Sequence, residues 1–165
     1  MSSFRHLLAD HSPVLLLDAC SARVQIGWLV DATTMRWAAS DAEAGIGVFN
    51  CINDLGILPP AAGSFVYCDG PGSILGIRTV AMALRTWNVL APKPTFSYHG
   101  LELLAHSIGR SDLTFIADAR RDTWHSFKLG SGLQRVPTAE LAGELATPEG
   151  FRHWSTLPST AAQVP

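Results

Sequence analysis

The chain has 165 residues, 47% of them hydrophobic and 16% charged, with a formal net charge of −2. That length suits one ordinary hydrophobic core, the apolar share excludes a disordered chain, and the Lys and Arg are too thinly spread to track a nucleic-acid backbone. No apolar stretch approaches the roughly 18 residues that span a bilayer, and residues 1–12, broken by Arg5, His6, Asp10 and His11, lack a secretory h-region, so a cytoplasmic protein without membrane or direct nucleic-acid contact is expected.

In chain order, residues 1–13 read as an N-terminal extension. Val14-Leu15-Leu16-Leu17 and the partly alternating Val24-Gln25-Ile26-Gly27-Trp28-Leu29 predict a hairpin, and a third strand over 33–38 extends it. Ser40 or Asp41 then opens a helix with Ile46, Phe49, Ile52 and Leu55 at helical spacing. Pro59, Pro60 and Gly63 stop it. A buried strand over 64–68 runs into Gly70-Pro71-Gly72-Ser73, and from Ser73 a second helix carries Ile74, Ile77, Ala81, Leu84 and Trp87. Beyond Pro92 and Pro94 come a short strand at 95–97, a helix ending at Gly109, and a hairpin formed by 113–117 and 123–127. From Gly130 onward a short helix over 138–145 and a frayed tail are expected. The order predicts an α/β mixed sheet with helices on its faces.

The chemistry-bearing positions are few. Gly70-Pro71-Gly72-Ser73 joins a strand to a helix, where an anion is favoured; equally, the glycines permit a tight turn and Ser73 caps the helix. Neither a dinucleotide fingerprint nor a P-loop is complete, and a nucleophile elbow fails because Pro71 stands where glycine is required. Asp18 and Asp118 each close a strand, and each either orients a ligand or caps a turn. Arg120-Arg121 beside Asp118 and Asp122 makes a charged hairpin tip. The six histidines form no HxxxH or HExxH pair, and Cys20, Cys51 and Cys68 fit neither a disulfide framework nor a CxxC knuckle. They read as reduced core residues, with no metal, no cofactor and no catalytic residue expected.

Three segments in this order resemble one family. Val14-Leu15-Leu16-Leu17-Asp18-Ala19-Cys20-Ser21 is similar to an opening strand ending in Asp-Thr-Ser/Ala. Gly70-Pro71-Gly72-Ser73-Ile74-Leu75-Gly76-Ile77-Arg78 is similar to a hallmark Gly-Pro-Gly-Ser-Phe-Thr-Gly-Leu/Val-Arg. Phe115-Ile116-Ala117-Asp118-Ala119-Arg120 is similar to a later Ile-Asp-Ala-Arg strand. These are features of the TsaB (YeaZ) family, glycoprotease-like relatives of actin, Hsp70 and sugar kinases. The resemblance implies a ribonuclease H-like (actin-like ATPase) fold, here one lobe over residues 14–130 with a tail over 131–165. It implies a part in making threonylcarbamoyladenosine in tRNA, and association with a second copy or with a TsaD-like partner through Phe49, Ile52, Ile77, Arg78, Ala81 and Leu84. A lone lobe lacks the opposing wall of a nucleotide cleft, so a non-catalytic protein is expected, with Asp18, Gly70, Gly72, Ser73 and Asp118 as a vestigial cleft. The alternatives are a small hydrolase or nucleotide-binding enzyme of the same superfamily, or a diverged remnant with another binding role.

Overall fold

A strand such as Val14-Leu15-Leu16-Leu17 is apolar on both faces and too short for a helix, which suits an inner position in a sheet covered on its faces. A computed structural model, describing residues 4–151, 153 and 155–164, makes it β1 (Val14–Asp18), the middle of five strands. It follows α1 (Phe4–His11). β2 (Val24–Leu29) returns antiparallel with Leu17 opposite Ile26, and β3 (Met35–Ser40) continues the meander. The turn between them is held by Asp31, whose carboxylate accepts bonds from the Thr33 hydroxyl (2.7 Å) and amide (2.8 Å) and the Thr34 amide (2.7 Å), which lower its pKa to about 2. β4 (Ser64–Cys68) lies parallel to β1 on its other side, with Leu17 opposite Tyr67. β5 (Thr95–Tyr98) closes the order β3-β2-β1-β4-β5.

Two helices supply the core of this sheet. α2 (Ala44–Leu55) ends where Gly56 turns left-handed at φ 61°, and buries Val48, Cys51, Ile52 and Leu55. α3 (Ile74–Leu90) buries Val80, Ala83, Leu84 and Trp87. Both faces meet Leu15, Leu17, Ile26 and Phe65. Each such side chain removed from water contributes about 1.5–3 kcal/mol. The tilted Phe65–Trp87 ring pair, centroids 5.9 Å apart, adds about 0.5–1.5 kcal/mol.

The expected mixed sheet is therefore present, but it is not the only one. β6 (Leu113–Asp118), β7 (Thr123–Lys128), β8 (Gly132–Pro137), β9 (Glu144–Pro148) and β10 (Ala161–Val164) form a second sheet in the order β10-β9-β6-β7-β8. β6 takes the place that β1 has in the first: an antiparallel meander on one side, parallel strands on the other. α4 (Gly100–Ile108) covers one face through Leu101 and Ala105, against Phe115, Phe127 and Ala146. On the opposite face Ile116, Trp124 and Leu145 gather Val136, Leu141 and Leu157.

The chain accordingly divides into two units, Met1–Cys68 with Ser73–Ser97, and Asp69–Gly72 with Tyr98–Pro165. The expectation of a single lobe ending at 130 does not hold. Nor does the helix over 138–145: Thr138–Glu140 is one 3-10 turn, and Gly143, at φ 82°, sends the chain into β9. The physical reason is that the glycines at 130, 132 and 143, all at positive φ, serve as turns between short strands. A hairpin as apolar as β6–β7 would otherwise leave its inner edge unpaired, and β9 pairs it, burying Leu145, Ala146 and Thr147.

Candidate functional site

Asp18 ends β1, and its carboxylate accepts the Cys20 amide at 2.8 Å. That bond bends the chain off the sheet, and Cys20 returns against the end of β4, where its thiol donates to the Cys68 carbonyl at 3.4 Å. The first turn of α3 lies on the same bend. The Ser73 amide donates to the Cys20 carbonyl at 2.7 Å, and the Ser73 hydroxyl accepts the Gly76 amide at 3.1 Å. Ser73 is thus a helix cap. Two of the amides that an anion would use at this helix end are already committed within the chain.

Gly70 and Gly72 stand at φ 124° and 154°, a region that side chains with a Cβ rarely enter, which is why this turn needs glycine at both places. Gly70 accepts the Gly100 amide through its carbonyl at 2.7 Å, and the Asp69 amide donates to the Tyr98 carbonyl at 3.0 Å. These bonds tie residues 69–72 to the start of α4.

In the second unit Asp118 ends β6 as Asp18 ends β1. It accepts the amides of Arg120 at 2.5 Å and Ser155 at 2.6 Å, and the Ser155 hydroxyl at 3.3 Å. Its carboxylate holds the hairpin turn to residue 155. Arg120, Arg121 and Asp122 in that turn all take left-handed backbone, at φ 64°, 53° and 56°. His99, His125 and His153 are each held below the usual imidazole range, first by burial. The Nδ1 atoms of His99 and His153 are buried without a hydrogen-bond partner, and His153 lies against Trp124 with ring centroids 5.7 Å apart.

Of the five residues assigned to a vestigial cleft, Asp18 and Ser73 belong to the first unit and Gly70, Gly72 and Asp118 to the second. The absence of a second lobe, on which the exclusion of a nucleotide site rested, no longer stands. Of the residues assigned to an interface, Phe49, Arg78 and Ala81 are exposed and Ile77 is half-buried. Ile52 and Leu84 are a correction: at 6% and 3% exposure they belong to the core between α2, α3 and the sheet. The amphipathic pattern placed them on an apolar stripe without saying which part of the stripe faced inward.

One grouping was missed. Asp18, Cys20 and Cys68 bring a carboxylate oxygen and two sulfurs within 4.8 Å of one another. Both cysteines are buried. The signal that could have found them is the parallel pairing of β1 with β4, which sets the two strand ends side by side.

No family model matches the chain, and no curated protein matches it. Solved structures do. YeaZ from Pseudomonas aeruginosa superposes with a TM-score of 0.62 at 17% identity, over 83% of this chain and 76% of that one. An uncharacterized protein with similarity to peptidase YeaZ from Pseudomonas aeruginosa gives 0.62 at 16% identity, over 92% and 84%. The chain therefore has the actin-like, ribonuclease H-like fold of these proteins.

Proposed function

We propose that this chain acts by association and not by catalysis, presenting the outer faces of α2 and α3 to a second copy of itself or to a TsaD-type paralogue, in the formation of threonylcarbamoyladenosine in cytoplasmic tRNA. The observation that carries the reading is the outer face of α3. Ile74, Met82 and Val89 are 62%, 62% and 79% exposed. They recur with Arg78 and Arg85 along one helical stripe. Ile46 and Phe49 are likewise exposed on α2, and Met82, Arg85, Thr86, Val89 and Leu90 line a shallow open depression. Exposed apolar side chains gathered on one helix face mark a contact site, and a helix pair lying on a two-fold axis makes a self-complementary one.

The fold shared with YeaZ supports the reading, as does Ser73, whose hydroxyl serves α3 as a cap. The test is sedimentation of the wild type and of a Met82→Asp, Val89→Asp variant, with co-purification against a TsaD-type protein. The wild type is expected to dimerise or to retain the paralogue, and the variant to lose both with an unchanged melting curve. A wild type that stays monomeric at every concentration and ignores the paralogue would refute the proposal.

A further inference from the structure

We propose that Asp18, Cys20 and Cys68 form a binding site for one zinc ion, with a fourth coordination position left to water or to an anionic ligand. The three donor atoms come from two neighbouring strand ends and lie within 4.8 Å of one another. In a tetrahedral site with Zn–S bonds of about 2.3 Å, two thiolate sulfurs stand about 3.8 Å apart. The donors therefore need only a small inward movement, which rotation of the cysteine side chains supplies.

The donor set selects the metal. Two sulfurs and one carboxylate suit a borderline-soft cation that accepts four ligands, and a hard cation such as magnesium takes oxygen ligands in octahedral array. Cys20 and Cys68 are 3% and 2% exposed, and Asp18 is half-buried, so the sulfurs are shielded from water. Three protein ligands leave one of the four positions of a tetrahedral zinc to an exchangeable group.

The charge is also provided for. Zinc with two thiolates and one carboxylate carries one net negative charge, and the two thiol protons leave to solvent on binding. The Cys20 thiol then gives up its bond to the Cys68 carbonyl. Against this bend lies the first turn of α3, tied to it by the Ser73 amide on the Cys20 carbonyl at 2.7 Å.

The experiment titrates the full, reduced, metal-free chain with Co2+ and then with Zn2+. One equivalent of cobalt is expected to give a thiolate-to-metal charge-transfer band in the near ultraviolet, bleached when zinc displaces it. Cys20→Ser and Cys68→Ser should abolish the band. Asp18→Asn keeps an acceptor for the Cys20 amide and should bind zinc more weakly by at least the roughly 10- to 100-fold that loss of an outer-shell partner costs. Cys51→Ala, whose thiol is buried in α2, should change nothing. Alkylation of Cys20 and Cys68 in the wild type, followed by mass spectrometry, needs no variant and should be slowed by zinc. A wild type without the band, a band that survives Cys20→Ser or Cys68→Ser, alkylation indifferent to zinc, or a Cys20–Cys68 disulfide in place of metal uptake would each overturn the proposal.

Discussion

Adding one methyl group at Gly76 tests how tightly the hallmark glycine segment is packed. A Cβ built there would stand 1.8 Å from the Ala19 carbonyl oxygen, 2.8 Å from its carbon and 3.3 Å from its Cβ, where ordinary contact begins at 3.4 Å. The obstacle is backbone, so no side-chain rotation relieves it, and α3 must withdraw from the bend after β1. Withdrawal breaks the Ser73 amide bond to Cys20. Two effects oppose each other. Replacing a helical glycine with alanine ordinarily stabilises by about 1 kcal/mol, whereas forcing a methyl into a packed site costs about 1–3 kcal/mol and occasionally more. With backbone overlap this deep the upper end applies, and a net loss of about 2 kcal/mol is expected, lowering the melting temperature by roughly 4–8 °C for a chain of this size. Gly45→Ala in α2 is the matched control, since nothing lies within 4 Å of its Cβ; it should gain up to about 1 kcal/mol. Urea denaturation of the three proteins, followed by tryptophan fluorescence, reads both signs. Equal stability of Gly76→Ala and wild type would refute the close approach of α3 to residue 19.

Ser73→Ala removes the cap on α3 and should cost about 1 kcal/mol while leaving the association state untouched; a nucleophilic serine would show no such loss in denaturation. Arg121→Gly should stabilise by roughly 0.5–1 kcal/mol, because glycine occupies the left-handed region without the strain that residue 121 bears at φ 53°, and a lowered urea midpoint would contradict it. His99, His125 and His153 are held below their ordinary pKa by burial, so the unfolded chain takes up protons first. Their contribution is whole above about pH 6.5 and is lost as the pH falls from there toward their folded values. Tryptophan fluorescence should therefore report a lower urea midpoint at about pH 5.5 than at about pH 7.5, and a constant or rising midpoint would mean that these rings are not buried neutral. Trp124→Phe removes the indole donor to the Thr138 hydroxyl, a bond of 2.8 Å. It should cost about 1 kcal/mol beyond the lost volume, measurable by the same melt.

The first unit was largely legible in the sequence. Its inner strands β1, β2 and β4 are apolar runs flanked by turn residues, and Ser73 sits one residue before α3, signals carried by neighbouring residues. The second unit was legible only in α4, which Gly109 stops at φ 71°, and in the β6–β7 hairpin. Of its strands after residue 130, β8 and β10 bury no side chain fully, and pairing is what makes them strands. β9 reads as Glu144-Leu145-Ala146-Thr147-Pro148, a weak pattern until β6 and β10 lie on either side. α1 was missed because eight residues with one buried side chain give little periodicity. The same limit explains the site. Asp18 and Ser73 stood out through local motifs, but Cys20 and Cys68 are 48 residues apart, and only the register of β1 on β4 sets their sulfurs together.

Neither unit is a contiguous stretch of sequence, because four residues, Asp69–Gly72, are lent to the second from within the first. No single cut can separate the two. A fragment beginning at Tyr98 would lack the Asp69 amide that caps the end of β5 and the Gly70 carbonyl that receives the first amide of α4, and a fragment ending before Asp69 would forfeit α3 and with it Val80, Ala83, Leu84 and Trp87 of its core. The glycine turn thus acts as a stitch through both pieces of cloth, and gene fragments, insertions or permutations should tolerate breaks at the hairpin tips far better than anywhere between residues 68 and 98.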